Sequence, residues 1–298
     1  MNKTSHGLGQ ALREALRSSA SVLQRDRFAL VGVLIYGSFI LLAIVTPFVA
    51  PYDPLQIVMH NGTYLPSSPP SAEHWLGTTN LGRDIFSQFL FSIQPTLLIG
   101  FTAAFFVVLI GTIIGLLGGY YGGQVDMVLG RITDIAFGIP FVPFVIVLVA
   151  FLGGSIWNIV IAMALLLWRD TARVIRSQVL VIREKSFIEA ARISGASDLR
   201  IIFIHIAPNV LPLAFLYGSL AVGWAVLTEA SVSFLGFGDP NVVSWGFMLQ
   251  DAYLSQALAR GAWWWFVPPG IAIMLTVMAG FFIGRGYEEL LYPRLRGQ

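Results

Sequence analysis

The chain has 298 residues, of which 56% are hydrophobic and only 11% are charged, and its formal net charge is +2. Soluble domains carry about 25% charged residues, so this composition excludes an ordinary soluble domain and indicates an integral membrane protein. Cysteine is absent and histidine occurs four times, which excludes a disulfide framework and argues against a cysteine or histidine metal site. No lysine- or arginine-rich tract suggests a nucleic-acid partner.

The first long apolar segment is Phe28–Ala50, with 23 residues and no charge. A helix of this length extends about 35 Å and can cross a bilayer core of about 30 Å. A cleaved signal peptide has a shorter apolar core of about 7–15 residues. We therefore predict a retained transmembrane helix, preceded by a cytoplasmic segment over residues 1–27 and followed by a membrane domain that extends over residues 28–298.

Five more apolar segments follow. The fourth of the six has only 13 residues, which is short for a membrane span of about 20 residues. We expect it to continue through Arg169 and Asp170 to Ile175, with those two charges at the membrane interface. The sequence thus predicts an all-α integral membrane fold with about six transmembrane helices, the last five over Thr96–Tyr120, Ile135–Leu152, Ile156–Trp168, Val210–Leu227 and Trp263–Ile283.

The basic residues predict the orientation of the six helices. With the N-terminus in the cytoplasm, 16 of the 18 lysine and arginine residues fall on the cytoplasmic side, and only Arg83 and Arg260 fall outside. Such a bias follows the positive-inside rule and places both termini in the cytoplasm. Two long outer loops are then expected at about residues 51–95 and 236–262, and a long inner loop at about 169–208.

The inner loop has the composition of helices interrupted by a turn. Glu189-Ala190-Ala191 lies in a helix-favouring stretch that contains no proline before Pro208. Gly195 suits a chain reversal because glycine tolerates the left-handed conformation that ends helices. Ser197 or Asp198 can cap a new short helix. From the residues alone, this region is either an ordinary amphipathic connector or a surface that another protein contacts.

The same pattern resembles the EAA loop of ABC importer permeases, which precedes the penultimate membrane helix and forms the coupling helix that sits on the ATPase subunit. The resemblance assigns this role to Glu189, Ala190, Ala191, Gly195 and Pro208. The family segment ends in an Ile-x-Leu-Pro-like sequence, whereas this chain has His205-Ile206-Ala207-Pro208, so that only the proline matches.

Two outer motifs resemble the dipeptide/oligopeptide permeases of the C-subunit type. They are Trp75-Leu76-Gly77-Thr78 with Leu81-Gly82-Arg83-Asp84, and Glu229-Ala230-Ser231-Val232-Ser233-Phe234-Leu235-Gly236 with Ser244-Trp245-Gly246. The matches run in order from about residue 28 to the end. The resemblance implies a permease subunit with a type I ABC importer fold, which moves di- or oligopeptides or similar small solutes across the cytoplasmic membrane.

The resemblance also implies the partners of such a subunit. They are a homologous second permease, two ATP-binding subunits, an extracytoplasmic solute-binding protein and the lipid bilayer. ATP and magnesium would bind to the ATP-binding subunits, because this chain has no phosphate-binding loop, and we expect no cofactor or metal on the chain itself.

The polar residues of the outer motifs have structural and functional interpretations. Arg83 and Asp84 can form a local ion pair that shapes the loop, or contribute to docking of the solute-binding protein. Glu229 lies near the outer end of the fifth helix, where a carboxylate is expected to be paired. Its partner is either Arg83 or the backbone of an outer loop. Glu229 either has a structural role, which we favour, or contacts the substrate, and we interpret Trp245 as structural.

Gly111, Gly115 and Gly119 follow one another at four-residue intervals in the second segment. Glycines one turn apart allow two helices to approach closely. We interpret them as a packing surface, whose partner is either another helix of this chain or the second permease.

Two other functional classes remain as alternatives. An ion-coupled secondary transporter usually carries ionisable residues inside the membrane, and here only Asp134 and Glu229 come close, both near span ends. A membrane-embedded enzyme needs a nucleophile, an acid–base pair or a metal site, and the sequence offers no catalytic candidate.

Overall fold

The computed structural model of the chain describes residues 26–57, 59–60, 63–64 and 66–291. The predicted N-terminal segment therefore lies outside the described residues, apart from Asp26 and Arg27. The same holds for several of the terminal basic residues used to predict the orientation.

Helix α1 spans Arg27–Val49, close to the first predicted segment. Asp26 caps it, because its carboxylate accepts a hydrogen bond of 2.8 Å from the backbone N–H of Phe28. Helix α2 spans Ile85–Tyr121 and begins well before the predicted start at Thr96. Asp84 caps this longer helix, so the predicted outer loop over residues 51–95 ends at Asp84.

The third predicted segment is broken in two. Helix α3 spans Gly123–Gly138, helix α4 spans Phe141–Leu152, and the two are bent by 85°. Ile139 has an extended backbone before Pro140, as expected for a residue whose helical conformation is disfavoured by the following proline ring. The prediction of one continuous helix from Ile135 was therefore wrong, because it overlooked the effect of Pro140.

The fourth predicted segment falls on two successive helices. Helix α5 spans Ile156–Leu166 and helix α6 spans Trp168–Arg183, with a turn at Leu167 between them. Both helices pack along α2.

The predicted inner loop is helical over most of its length. Helix α7 spans Ser186–Ile193, helix α8 spans Asp198–Arg200, and a π-helical turn over Ile201–Ile206 leads into helix α9, Ala207–Phe234. Helix α9 is longer than the predicted Val210–Leu227. Pro208 lies in the first turn of α9, directly after the π-helical turn.

The second outer loop contains a helix that the sequence analysis did not predict, α10 over Trp245–Leu254. Helix α11 then spans Trp263–Leu291, beyond the predicted end at Ile283. Two short strands in the first outer loop, β1 (Met59–His60) and β2 (Thr63–Tyr64), form an antiparallel pair with Met59 opposite Tyr64.

Among the described residues, four helical stretches are long and apolar enough to cross a membrane, and the bent pair α3–α4 makes a fifth if it counts as one span. The four are Arg27–Val49, Ile85–Tyr121, Asp198–Phe234 and Trp263–Glu288. The predicted fourth span, now α5 and α6, does not qualify by length and composition. The fold is all-α with the multi-pass architecture expected from the sequence.

Helix α2 lies at the centre of the bundle and packs against α1, α5, α6 and α9, while α11 packs against α1 and α9. One end of the bundle carries the described residues of the range 50–84 together with residues 235–262, and we call it the α10 end. The opposite end carries residues 121–123 and 184–200, and we call it the α7 end.

Candidate functional site

The EAA-like segment forms a helix, a turn and a short second helix at the α7 end. Gly195 follows α7 with a φ of +75°, and no other atom lies within 4 Å of where its Cβ would be. The backbone N–H of Ala196 donates to the carbonyl of Ala191 and that of Gly195 to the carbonyl of Arg192. This is the glycine-dependent Schellman ending of a helix. The chain reverses at Gly195, as its position in the sequence predicted.

The segment is attached to the bundle through a few contacts. Ile188 is fully buried in a cluster with residues of α2, α6 and α9. Tyr120 at the end of α2 donates a 2.6 Å hydrogen bond from its hydroxyl to the carboxylate of Asp198. Ser197 stands at the N-cap position of α8 but makes no side-chain capping bond. A movement of α7 and α8 would therefore be transmitted to the ends of α2 and α9.

This segment exposes large apolar side chains among charged ones. Glu189 and Ala190 are exposed and Ala191 is half-buried. Ile193 is 82% exposed, and three more apolar side chains are exposed near it in sequence, namely Phe187, Leu199 and Phe203. Several large apolar side chains exposed on one short segment indicate a surface that contacts another molecule.

The three spaced glycines of α2 lie against α6 of the same chain. A Cβ on Gly111 would stand 2.6 Å from the Cβ of Thr171, and a Cβ on Gly115 would stand 2.8 Å from the carbonyl oxygen of Ala172. At Gly119 the nearest atom, at 2.7 Å, is the Cβ of Val179. Of the two partners left open by the sequence, the structure thus gives a helix of this chain.

Asp84 at the α10 end is completely buried and bonded within the chain. Its Oδ2 accepts a 2.7 Å hydrogen bond from the N–H of Ser87, and its Oδ1 lies 2.9 Å from Nδ1 of His74. The predicted ion pair between Arg83 and Asp84 is absent from the described residues. It was wrong because Asp84 is turned inward to cap α2 and to meet His74.

Arg83 instead faces an acid of α10. Burial raises the pKa of Asp251, and the positive charge of Arg83 opposes that shift. Neither Nε of Arg83 nor Oδ2 of Asp251 has a hydrogen-bond partner in the described structure, although both atoms are buried. The charge of Arg83 therefore acts on Asp251 from the first outer loop to α10 without an ion pair between the two side chains among the described residues.

Glu229 is almost fully buried near the end of α9, and the hydroxyl of Ser233 donates a 2.6 Å hydrogen bond to its Oε1. The two partners considered from the sequence, Arg83 and a loop backbone, are thus replaced by a hydroxyl one helical turn away. Trp245 at the start of α10 is also fully buried, and its ring lies 5.4 Å from that of Phe39 in α1.

A cavity of about 600 Å³ lies between α2, α4, α6 and α9. One face of α9 supplies half of its lining at helical spacing, and the rest comes from apolar residues of α2 and α4, from Leu167 and from the start of α6. Two charged residues, Arg169 and Asp170, also line it. The residues contributed by α9 are Tyr217, Leu220, Ala221, Trp224, Leu227, Thr228 and Ser231.

The sequence alone does not reveal this cavity. Helix α9 is apolar on every face, so periodicity could not separate the cavity lining from the packing surface. The available signal was the charged dipeptide Arg169-Asp170 next to an apolar segment that was too short to span a membrane alone. No group of three or more metal-binding side chains occurs in the part of the chain that the structure describes.

The comparisons with known proteins agree over nearly the whole chain. Residues 108–297 match the family model described as the binding-protein-dependent transport system inner membrane component. Residues 13–70 match the N-terminal transmembrane domain of oligopeptide transport permease C.

Similar curated proteins come from several bacteria. The dipeptide transport system permease protein DppC of Alkalihalophilus pseudofirmus is 37% identical over 94% of this chain and 90% of its own length. The DppC of Bacillus subtilis is 33% identical over 92% of this chain and 84% of its own. The glutathione transport system permease protein GsiD of Pectobacterium atrosepticum is 36% identical over 87% and 86%.

Proposed function

The chain belongs to the family of binding-protein-dependent transport system inner membrane components and is a permease subunit of an ABC importer, and from this premise we propose that it forms half of a membrane passage for dipeptides or similarly small peptides. The observation that carries the proposal is the similarity to two dipeptide permeases and one glutathione permease over at least 87% of the chain. Glutathione is itself a tripeptide, so the three relatives share a substrate class. Family membership also favours the importer over the ion-coupled transporter considered from the sequence.

The proposed complex contains this chain, a homologous second permease, two ATP-binding subunits and an extracytoplasmic solute-binding protein. The 16 to 2 distribution of basic residues supports cytoplasmic termini, which puts the α7 end in the cytoplasm and the α10 end outside. ATP and magnesium bind to the ATP-binding subunits, and this chain carries neither and catalyses no covalent reaction.

In the proposed mechanism, the exposed surface of α7 and α8 contacts an ATP-binding subunit. Closure of the two ATP-binding subunits on ATP moves α7, and the contacts of Ile188 and Asp198 carry that movement to α2, α6 and α9. Because α6 and α9 both line the cavity, their displacement changes access to it from the two sides. ATP drives the change only through contacts that differ between the two states.

Purification of the tagged chain in mild detergent tests the proposal. We expect a second permease and ATP-binding subunits to copurify, with vanadate-sensitive ATP hydrolysis that a peptide-loaded binding protein stimulates. A chain that purifies alone, remains stable and shows no associated ATP hydrolysis would contradict the proposed assembly. Uptake of labelled dipeptides into proteoliposomes, compared with uptake of sugars, tests the substrate class separately.

A further inference from the structure

The charged pair Arg169–Asp170 begins helix α6 inside the bundle, not at its end. The carbonyl oxygen of the preceding residue, Trp168, would be 2.7 Å from a Cβ on Gly111 of α2. Gly111 stands ten residues before the end of α2 at Tyr121, a distance of about 15 Å along a helix. The pair therefore lies beside α2 within the packed bundle and not in the segment beyond the end of that helix.

Ionisable side chains within membrane domains are rare, and those that occur usually face a cavity or mark the route of a substrate or ion. Both Arg169 and Asp170 line the cavity of about 600 Å³ between α2, α4, α6 and α9. Their different contacts indicate which of the two is available to a solute.

The side chain of Arg169 is bonded within the chain. Its side chain is only 13% exposed, and its Nη1 donates hydrogen bonds to the carbonyl oxygens of Ala136 and Ile139. Its guanidinium carbon also lies 4.9 Å from the ring centre of Phe137. The Arg169 side chain thus ties the start of α6 to the bend between α3 and α4.

The carboxylate of Asp170 is available to bind a solute. Its side chain is 61% exposed, and its nearest basic neighbour is Nε of Arg169, at 3.9 Å. That distance is too long for a hydrogen bond, and no hydrogen bond to the carboxylate occurs within the described ranges. The carboxylate therefore opens into a cavity whose other walls are largely apolar.

The rest of the lining suits the remainder of a peptide. Val107, Phe141 and Leu220 offer apolar contacts, and Tyr217 and Trp224 add aromatic rings. Trp224 is 65% exposed. Aromatic faces attract organic cations as well as apolar groups, and ligand sites commonly combine an apolar lining with a few polar groups that fix orientation.

We propose that Asp170 binds the free ammonium group of the transported peptide within this cavity, while the aromatic and aliphatic walls receive its side chains. The ligand class is a small organic cation or zwitterion with a primary amine. This inference rests on the proposed function and adds the residue that recognises the amino end of the substrate during passage. Arg169 is a positioning residue, which holds the start of α6 and hence Asp170 in the cavity.

The experiment uses the complete importer in proteoliposomes and measures peptide uptake and ATP hydrolysis in the same preparation. In Asp170→Asn we expect uptake per ATP hydrolysed to fall roughly tenfold or more, because the amide oxygen can still accept a hydrogen bond but the negative charge opposite the ammonium group is lost. Stimulation of ATP hydrolysis by the loaded binding protein should stay within about twofold of wild type, since the α7 contact is unchanged. Asp170→Glu should restore much of the uptake.

Asp134→Asn is the matched control. Asp134 lies on α3 and its side chain is similarly exposed, at 67%. Its carboxylate is 3.7 Å from the guanidinium of Arg173, which belongs to α6 as Asp170 does, but Asp134 does not line this cavity. It should leave uptake per ATP unchanged.

The outcomes separate the inference from the proposed function. Unchanged uptake in Asp170→Asn, or an equal loss in Asp134→Asn, would overturn the role of Asp170 alone. A parallel loss of uptake and ATP hydrolysis in Asp170→Asn would make Asp170 structural and would also overturn it. A wild-type complex without peptide-stimulated ATP hydrolysis or peptide uptake would overturn the proposed function.

Discussion

Asp84 and Glu229 at the α10 end are polar and almost completely buried, whereas Ile193 and Leu199 at the α7 end are apolar and exposed. The buried acids have their hydrogen-bond partners within the chain, at Ser87, His74 and Ser233. The exposed apolar residues belong to short helices that touch the bundle through a few side chains. Both ends carry recognisable motifs, but the motifs of the α10 end are explained largely by contacts inside the chain.

This contrast distinguishes two physical roles that a sequence motif can have. A buried, hydrogen-bonded acid stabilises the fold, because its removal leaves partners unsatisfied. An exposed group of apolar side chains does not stabilise an isolated chain in water, and its presence indicates a partner surface. Substitutions at the α10 end should therefore affect stability first, and those at the α7 end should affect coupling first.

The largest effect is expected for Asp84→Ala at the α10 end. The substitution removes the cap of α2 and the partner of His74, and the two losses together should lower the free energy of unfolding by about 3 kcal/mol. Thermal unfolding of the detergent-purified chain measures this. Asp53→Ala is the control, because Asp53 is an exposed acid that accepts one local hydrogen bond, from Leu55. Equal melting temperatures for the two variants would contradict the framework role of Asp84.

A smaller effect on association is expected for Ile193→Ser at the α7 end. Burying an isoleucine side chain contributes about 2 kcal/mol, so the variant should bind the ATP-binding subunit roughly 30-fold more weakly. Its own melting temperature should not change, because Ile193 is already exposed. Titration of the purified ATP-binding subunit onto the permease pair in nanodiscs measures the affinity.

Ile188 on the same helix gives the opposite expectation. It is fully buried, so Ile188→Ser should lower the melting temperature, which Ile193→Ser should not do. If both variants destabilised the chain equally and neither changed the affinity, the exposed face of α7 would not be a partner surface.

The third largest effect is expected for Gly195→Val, in which the new side chain strains the backbone. Gly195 has a φ of +75°, and a side chain there costs about 1 kcal/mol or slightly more. We expect normal membrane insertion but loss of substrate-stimulated ATP hydrolysis, because the strain would alter the turn between α7 and α8. Gly123→Val is matched to it, since Gly123 also has a positive φ of +50° and no atom within 4 Å of an added Cβ. Equal stimulation in the two variants would show that the turn at Gly195 is not needed for coupling.

The sequence predicted the helices well wherever a long apolar run had no strong interruption, as in α1. It placed the start of α2 too late, because Pro95 and the serine and glutamine residues before it interrupt the apolar run, although the helix continues through them to its cap at Asp84. It also missed the bend between α3 and α4, although Pro140 offered a local signal for it.

The candidate site was predicted unevenly for a physical reason. The turn at Gly195 follows from a local backbone requirement, so its position was readable from the residues alone. The partners of Glu229 and the cavity around Asp170 depend on which helices meet, and helices that are apolar on all sides do not specify this. The charged pair Arg169–Asp170 was noticed, but the sequence could not show that it lines a cavity together with α9.

The smallest effect is expected for Arg83→Gln, which tests the contact between the first outer loop and α10. Burial raises the pKa of Asp251 above the ordinary 3.8, while Arg83 lowers it. Asp251 therefore favours the folded state while it is protonated, and that contribution is lost as the pH rises through its folded-state pKa. Without Arg83 the pKa rises further, so the variant should be less stable than wild type at neutral pH by under about 1 kcal/mol.

That deficit should shrink as the pH falls towards about 4, because a protonated Asp251 no longer gains from the guanidinium. Melting temperatures across this pH range measure it, and Asp251→Asn provides the matched background, in which Arg83→Gln should have no pH-dependent effect. A stability deficit that stayed constant with pH would mean that Arg83 acts through packing. The first outer loop would then be held against helix α10 by packing and not by the charge of Arg83.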